Sequence, residues 1–143
     1  MRYHLSVKRP FPVASLLYIF IQLVDPLQLA DKVAAAGYYV LVPDFLFGDY
    51  WTPETHLDEW TKKHAPEQTV EFAKPVVQAL KEKGISKLGS AGFCWGAKAV
   101  ADLAKEAEIQ VAALLHPNFV TLDDIKGMFC STTLIIRGEG VVT

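Results

Sequence analysis

Gly92-Phe93-Cys94-Trp95-Gly96 decides the fold of this chain. Before it, Ile85-Ser86-Lys87-Leu88-Gly89-Ser90-Ala91 reads as a short buried strand ending in small residues. After it, Ala97 to Lys105 reads as a helix. Strand, G-x-C-x-G, helix is the pattern of a nucleophile elbow, with cysteine where serine usually stands. Both glycines have a physical reason. A nucleophile held in a sharp, strained turn needs neighbours without a Cβ, so that strand and helix can close on each other.

The elbow also predicts chemistry. Cys94 falls at the N-terminus of the following helix, where unpaired amides and the helix dipole favour a thiolate. An unperturbed thiol, with a pKa of about 8.5, is only slightly ionised at neutral pH. The amide of Trp95, directly after the nucleophile, is the expected oxyanion donor. Cys94 and Trp95 are therefore the candidate catalytic residues. The competing reading is an inert cysteine in an α/β core.

Outward from the elbow the chain alternates. Gln28 to Ala36 reads as a helix ended by Gly37, and Tyr38 to Val42 as a strand closed by Pro43. The stretch Phe45 to Ala65 is aromatic and loop-like, with a short helix around Thr55 to Lys63. Val70, Ala73, Val77 and Leu80 recur at helical spacing, and Gly84 ends that segment. Pro75 inside it predicts either a kink or the true start of the helix. Val111–Leu115 and Thr132–Ile136 read as further strands. Such alternation predicts one α/β unit: a mostly parallel sheet with helices on both faces.

Composition narrows the function. A chain of 143 residues, half apolar and with a formal charge of −2, suits one domain and suggests neither disorder nor a nucleic-acid surface. Its two cysteines, Cys94 and Cys130, give no disulfide framework, and no Cys/His cluster has zinc spacing. No metal or organic cofactor is expected, and a reducing, cytoplasmic setting is. Cys130 precedes a strand and reads as structural.

Residues 1–27 stand apart. Arg2, Lys8 and Arg9 before the apolar run Val13 to Val24 resemble the first two regions of a signal peptide. That run is short for a membrane span of about 20 residues. Its β-branched and aromatic residues, with Pro26 as a stop, favour a buried parallel strand.

In such sheets, ligands gather at the carboxyl ends of the strands, where Asp44, Cys94 and His116 map. Asp44 is expected to order its loop by accepting local amides. His116, the only histidine after Cys94, reads as a strand-end residue, or as a surrogate base if it comes within hydrogen-bond reach. His56 and His64, near Trp51 and Trp60, read as surface or half-buried residues, or as the lining of a pocket or lid. His4 carries no signal.

Gly92-Phe93-Cys94-Trp95-Gly96-Ala97-Lys98 resembles the elbow of the dienelactone hydrolase (carboxymethylenebutenolidase) family, above all its plant members. Leu29 to Val40, then Val42-Pro43-Asp44-Phe45, are similar to that family too, as are Gln110 to Pro117 and Val120 to Lys126. The resemblance covers about Leu29 to Ile136. It implies a three-layer α/β-hydrolase fold and hydrolysis of a small-molecule ester or lactone through an acyl-cysteine, without cofactor, nucleic acid or membrane. The family's acid and histidine follow the nucleophile. Here Thr132–Ile136 leads into Arg137-Gly138-Glu139-Gly140-Val141-Val142-Thr143, which holds neither Asp nor His. The fold is accordingly expected to be incomplete, a truncated single domain over 1–143 without its terminal strands. Residues 28–137 are its matching region, and activity is expected to be weak or absent.

Other departures bear on substrate. Asp25 stands near the family's upstream acidic position. Bacterial members hold a substrate carboxylate with an arginine after the Pro-Asp pair, where this chain has Phe45-Leu46-Phe47-Gly48-Asp49. Two alternatives remain: a noncatalytic truncated binding or structural variant, or another cysteine protein. Class I glutamine amidotransferases need a later His-x-Glu, which is absent, and DJ-1-like proteins would leave His116 as the helper residue.

Overall fold

Strands and helices follow one another as β1 (Tyr3–Val7), β2 (Ala14–Ile19), α1 (Pro26–Ala35), β3 (Tyr39–Pro43), α2 (Leu57–Lys63), α3 (Gln68–Glu82), β4 (Lys87–Cys94), α4 (Trp95–Lys105), β5 (Val111–Pro117), α5 (Leu122–Lys126) and β6 (Thr132–Ile136). The structure is a computed structural model that describes residues 3–7, 14–19, 26–106 and 108–136, with side-chain environments from residue 28 onward. One six-stranded sheet results, in the order β1-β3-β2-β4-β5-β6. β1 runs antiparallel to β3, with Tyr3 opposite Pro43, and every other pairing is parallel.

β2 lies inside the apolar run Val13 to Val24 and pairs with β3 on one side and β4 on the other. That is the place for a continuous apolar strand, since an inner parallel strand is normally covered on both faces. The strand reading of this run therefore holds for Ala14–Ile19. β1 had no periodic signal and was not expected.

Local chemistry sets the element ends. α1 is stopped by Gly37, whose φ of +102° suits a residue without a side chain. α3 runs unbroken from Gln68 through Pro75, so the proline does not mark the start of the helix. Pro75 is exposed, while Val70, Ala73, Val77 and Leu80 are buried on the opposite side. The burial of that stripe, worth about 1.5–3 kcal/mol for each large side chain, outweighs the amide the proline lacks.

β3 divides the core between the two faces of the sheet. Tyr39 and Leu41 join the large cluster built with α3 and α4, whereas Val40 and Val42 pack with Ala30 and Ala34 of α1. Period-2 alternation places these side chains on opposite sides, which gives the three layers. α4 is buried from Trp95 to Ala104, against β4 and β5. Its small residues let the helix lie close on the sheet. β6 forms one sheet edge and all five of its residues are exposed. Among the described residues, no helix is long and apolar enough to cross a membrane.

Candidate active site

Cys94 is the last residue of β4 and the N-cap of α4, with φ 52° and ψ −112°. A non-glycine residue in that region is strained and persists only where its surroundings impose it. Gly92 is one such constraint. A Cβ there would overlap the carbonyl of Gly96 and lie 2.8 Å from the amide nitrogen of Ala97. β5 supplies another, because the Asn118 amide donates to the Cys94 carbonyl at 3.3 Å. The Cys94 side chain makes no capping hydrogen bond, and the residue is half-buried. Strand, turn and helix thus present a sulfur at a helix N-terminus, as the elbow pattern predicts.

Trp95, next in the chain, is 2% exposed. Its indole Nε1 donates to the carbonyl of His64 at 2.7 Å, just past the end of α2. Its ring meets that of Trp60 edge to face, with centroids 6.0 Å apart. Trp60 Nε1 in turn donates to the Asp49 carbonyl at 3.0 Å, and His64 Nε2 pairs with Asp49 Oδ2 at 3.0 Å. His64 therefore belongs to a half-buried network behind the elbow. His56 is an exposed residue preceding α2, and Trp51 Nε1 donates to the Thr55 carbonyl.

The other strand-end residues behave differently. Asp44 Oδ1 accepts the Leu46 amide at 3.1 Å, the loop-ordering role expected of it. His116 stands in β5 where the pairing slips, Leu115 being opposite Phe93 and Pro117 opposite Cys94. It is the extra residue of a bulge, with φ 47°, and it is exposed. Its side chain has no hydrogen bond or ion pair with any described residue, so it neighbours Cys94 in the sheet without engaging it. Cys130 lies half-buried beside Thr133, 3.0 Å from its hydroxyl. Asp25 and the 137–143 segment lie outside the described residues.

One turn beyond Cys94 lies a buried cluster of charges that the sequence reading did not single out. Lys98 Nζ reaches Asp102 Oδ1 at 2.7 Å and Asp124 Oδ1 at 3.2 Å. Lys105 also contacts both carboxylates. Asp124 closes a capping box with Thr121 at the start of α5, accepting the Thr121 amide at 2.8 Å. Burial works against its charge, but Lys105, the Thr121 amide and hydroxyl, and Lys98 together hold its carboxyl well below the usual range. Lys105 is raised, chiefly by its bond to Asp124. The Lys-x-x-x-Asp and Thr-x-x-Asp spacings were the readable signals for this cluster.

Among the described residues no group of three or more His, Cys, Asp or Glu could hold a metal ion.

Known proteins resemble this chain. The family model for the dienelactone hydrolase family matches residues 22–139. An endo-1,3;1,4-beta-D-glucanase of Zea mays is 44% identical over 99 residues, covering 69% of this chain and 32% of its own. The human carboxymethylenebutenolidase homolog is 28% identical over 127 residues, covering 85% of this chain and 52% of its own. The chain thus spans between about a third and about half of the length of these two relatives. Among solved structures, a dienelactone hydrolase-like promiscuous phosphotriesterase from metagenomic libraries superposes with a TM-score of 0.68 at 17% identity, over 92% of this chain and 59% of that one, which shows the shared fold. With the elbow, the sheet order and the family model in agreement, this chain belongs to the dienelactone hydrolase family.

Proposed function

We propose that Cys94 is the nucleophile of a carboxylic ester or lactone hydrolase site, with the Trp95 amide as oxyanion donor. The observation that carries this reading is the strained backbone of Cys94, held by Gly92 against Gly96 at the head of α4. Strain of this kind clusters at reactive positions. In the reaction, the Cys94 thiolate attacks the carbonyl carbon and the carbonyl oxygen takes the negative charge beside the Trp95 amide. Collapse expels the alkoxide or phenolate and leaves a thioester on Cys94.

Release of the acyl group needs a base to activate water. Among the described residues His116 is the histidine nearest in register, and it does not engage Cys94. We expect these 143 residues to acylate and then stall. A triad site deprived of its acid and base retains about 10³–10⁴-fold over water from oxyanion binding. Two free thiols suit a reducing compartment, and the cytoplasm is the setting we propose.

The maize relative's name suggests glucan hydrolysis, which ordinarily uses two carboxylates flanking the glycosidic bond. Among the described residues, the buried carboxylates Asp102 and Asp124 are bound by lysines, which suits them poorly to proton transfer. Ester chemistry at Cys94 is the better-supported reading.

The test is intact-mass analysis after incubation with p-nitrophenyl acetate, with Cys94→Ser alongside. One acetyl adduct on Cys94 without continued nitrophenol release is the expected result. No adduct would overturn the nucleophile assignment in favour of a noncatalytic binding variant. A stable sulfinic acid on Cys94 under mild peroxide, without acylation, would favour a DJ-1-like role.

A further inference from the structure

The side chain of Trp95, next to the nucleophile, is buried and anchored at two points. Its indole donates to the His64 carbonyl at 2.7 Å, and its ring packs on Trp60. His64 is the C-cap of α2, where a helix leaves carbonyls without intrahelical partners, so the indole satisfies one of them. Trp60 is the only buried residue of α2, and it is tied to the Asp49 carbonyl and stacked near His64 at 4.6 Å. Trp60 is therefore the buried contact of the helix, and it packs on Trp95.

We propose that α2 is a positioning device for the oxyanion donor, with Trp60 and the His64 carbonyl as positioning residues that act through the Trp95 side chain. The inference rests on the assignment of the Trp95 amide as oxyanion donor. Peptide and side chain share one Cα, so an indole held at two points restricts the orientation of the amide that begins α4. Donors preorganised toward a developing oxyanion stabilise it without reorganising during the reaction. When α2 is unseated, the Trp95 ring gains rotational freedom and the amide loses that restraint. The nucleophile itself is held from the other side, by Gly92 and by Asn118 of the β5 end. Unseating α2 should impair oxyanion stabilisation while leaving the sulfur in place.

Two reactions of the same sulfur separate these effects. Acetyl transfer from p-nitrophenyl acetate passes through an oxyanion. Alkylation by iodoacetamide forms the S–C bond as iodide leaves, with no oxyanion. For Trp60→Leu we expect the acylation rate to fall roughly 10- to 100-fold, the scale of a small misplacement of a reacting group. Its alkylation rate should stay within about two-fold, since that rate follows thiolate fraction and access. Equal falls in both rates, or no change in either, would overturn the inference and leave Trp60 a packing residue. If Trp60→Leu loses its cooperative unfolding transition, Trp95→Phe is judged by the same ratio, since it keeps the amide and an aromatic ring while deleting the donor to His64. Wild-type chain that alkylates at Cys94 but does not acylate would remove the oxyanion assignment and this inference with it. That failure is visible before any variant is made.

Discussion

Lys98 Nζ lies 2.7 and 2.9 Å from the two carboxylate oxygens of Asp102, one helical turn away on the helix that begins at the nucleophile. Both residues are 8% exposed, and Asp124 from α5 completes the cluster. A hydrophobic isostere of the whole cluster would be no less stable on general grounds, so its value lies in what it joins. It fastens α5, a helix of five residues, to the buried flank of α4.

Removing one member leaves buried charge behind. Lys98→Met should destabilise the protein by about 3 kcal/mol or more, because two carboxylates would then share Lys105. Lys105→Met should cost less, since its side chain is 33% exposed and Lys98 stays to bind both acids. Urea denaturation of the two variants measures the difference. Equally small effects, within about 1 kcal/mol, would show that the cluster behaves as a surface pair.

The same cluster sets an acid limit. Asp124 is depressed in the folded state, so the stability it contributes is present above the carboxylate's unfolded pKa of about 3.9 and is lost as pH falls below it. Asp124→Asn should therefore be less stable than wild type at pH 6, and the gap should shrink toward pH 3. Thermal unfolding across that range checks the sign. A gap independent of pH would mean that the capping box, and not the charge, does the work.

Gly92 makes a sharper structural claim. A methyl group there would collide with the backbone of Gly96 and Ala97, where nothing flexible can give way. Gly92→Ala should cost about 3 kcal/mol or more, or prevent folding altogether. Gly84→Ala is the control: its Cβ would meet open space at φ +83°, leaving only backbone strain of about 1–2 kcal/mol. Comparable costs at the two positions would show that the elbow is not closely packed.

How much of this was legible follows from what sequence patterns encode. The elbow carried strand, turn and helix in one stretch, because its two glycines and flanking periodicity are local demands. α1, β3, α2, β5 and β6 followed from periodicity and punctuation in the same way. Pro75 misled as a possible helix start because local propensity argued against a helix that tertiary burial of Val70, Ala73, Val77 and Leu80 stabilises. β1 was invisible, since five residues pairing with Tyr39–Pro43 leave no period to read. The Trp95–His64 bond and the reach of Lys98 to Asp124 join residues 31 and 26 positions apart, so spacing alone could not announce them. The role of Asp44, by contrast, lies within two residues and was readable.

Ser90 offers a separate test of the core. It is fully buried on β4, and its hydroxyl has no partner among the described residues. Leaving such a group unsatisfied costs about 1–3 kcal/mol, while Ser→Ala changes volume little. Ser90→Ala should raise stability by about 1 kcal/mol. A loss of similar size would indicate that the hydroxyl is bonded in solution, and chemical denaturation decides between the two.

The backbone of Cys94 predicts a conflict between stability and reactivity. At φ 52° and ψ −112° any residue with a Cβ is strained, whereas glycine enters positive φ readily. Cys94→Ala keeps the strain and loses only the sulfur. Cys94→Gly relieves it, at the expense of greater freedom in the unfolded chain. If the turn is held as the structure shows, Cys94→Gly should equal or exceed Cys94→Ala in stability, by up to about 1–2 kcal/mol. At a relaxed position the order reverses, with glycine the weaker by about 0.5–1 kcal/mol. The sign of the difference between the two variants in one urea titration therefore reports whether the strain is real, without reference to any substrate. A less stable glycine variant would remove the main support for reading Cys94 as a nucleophile poised at the head of α4.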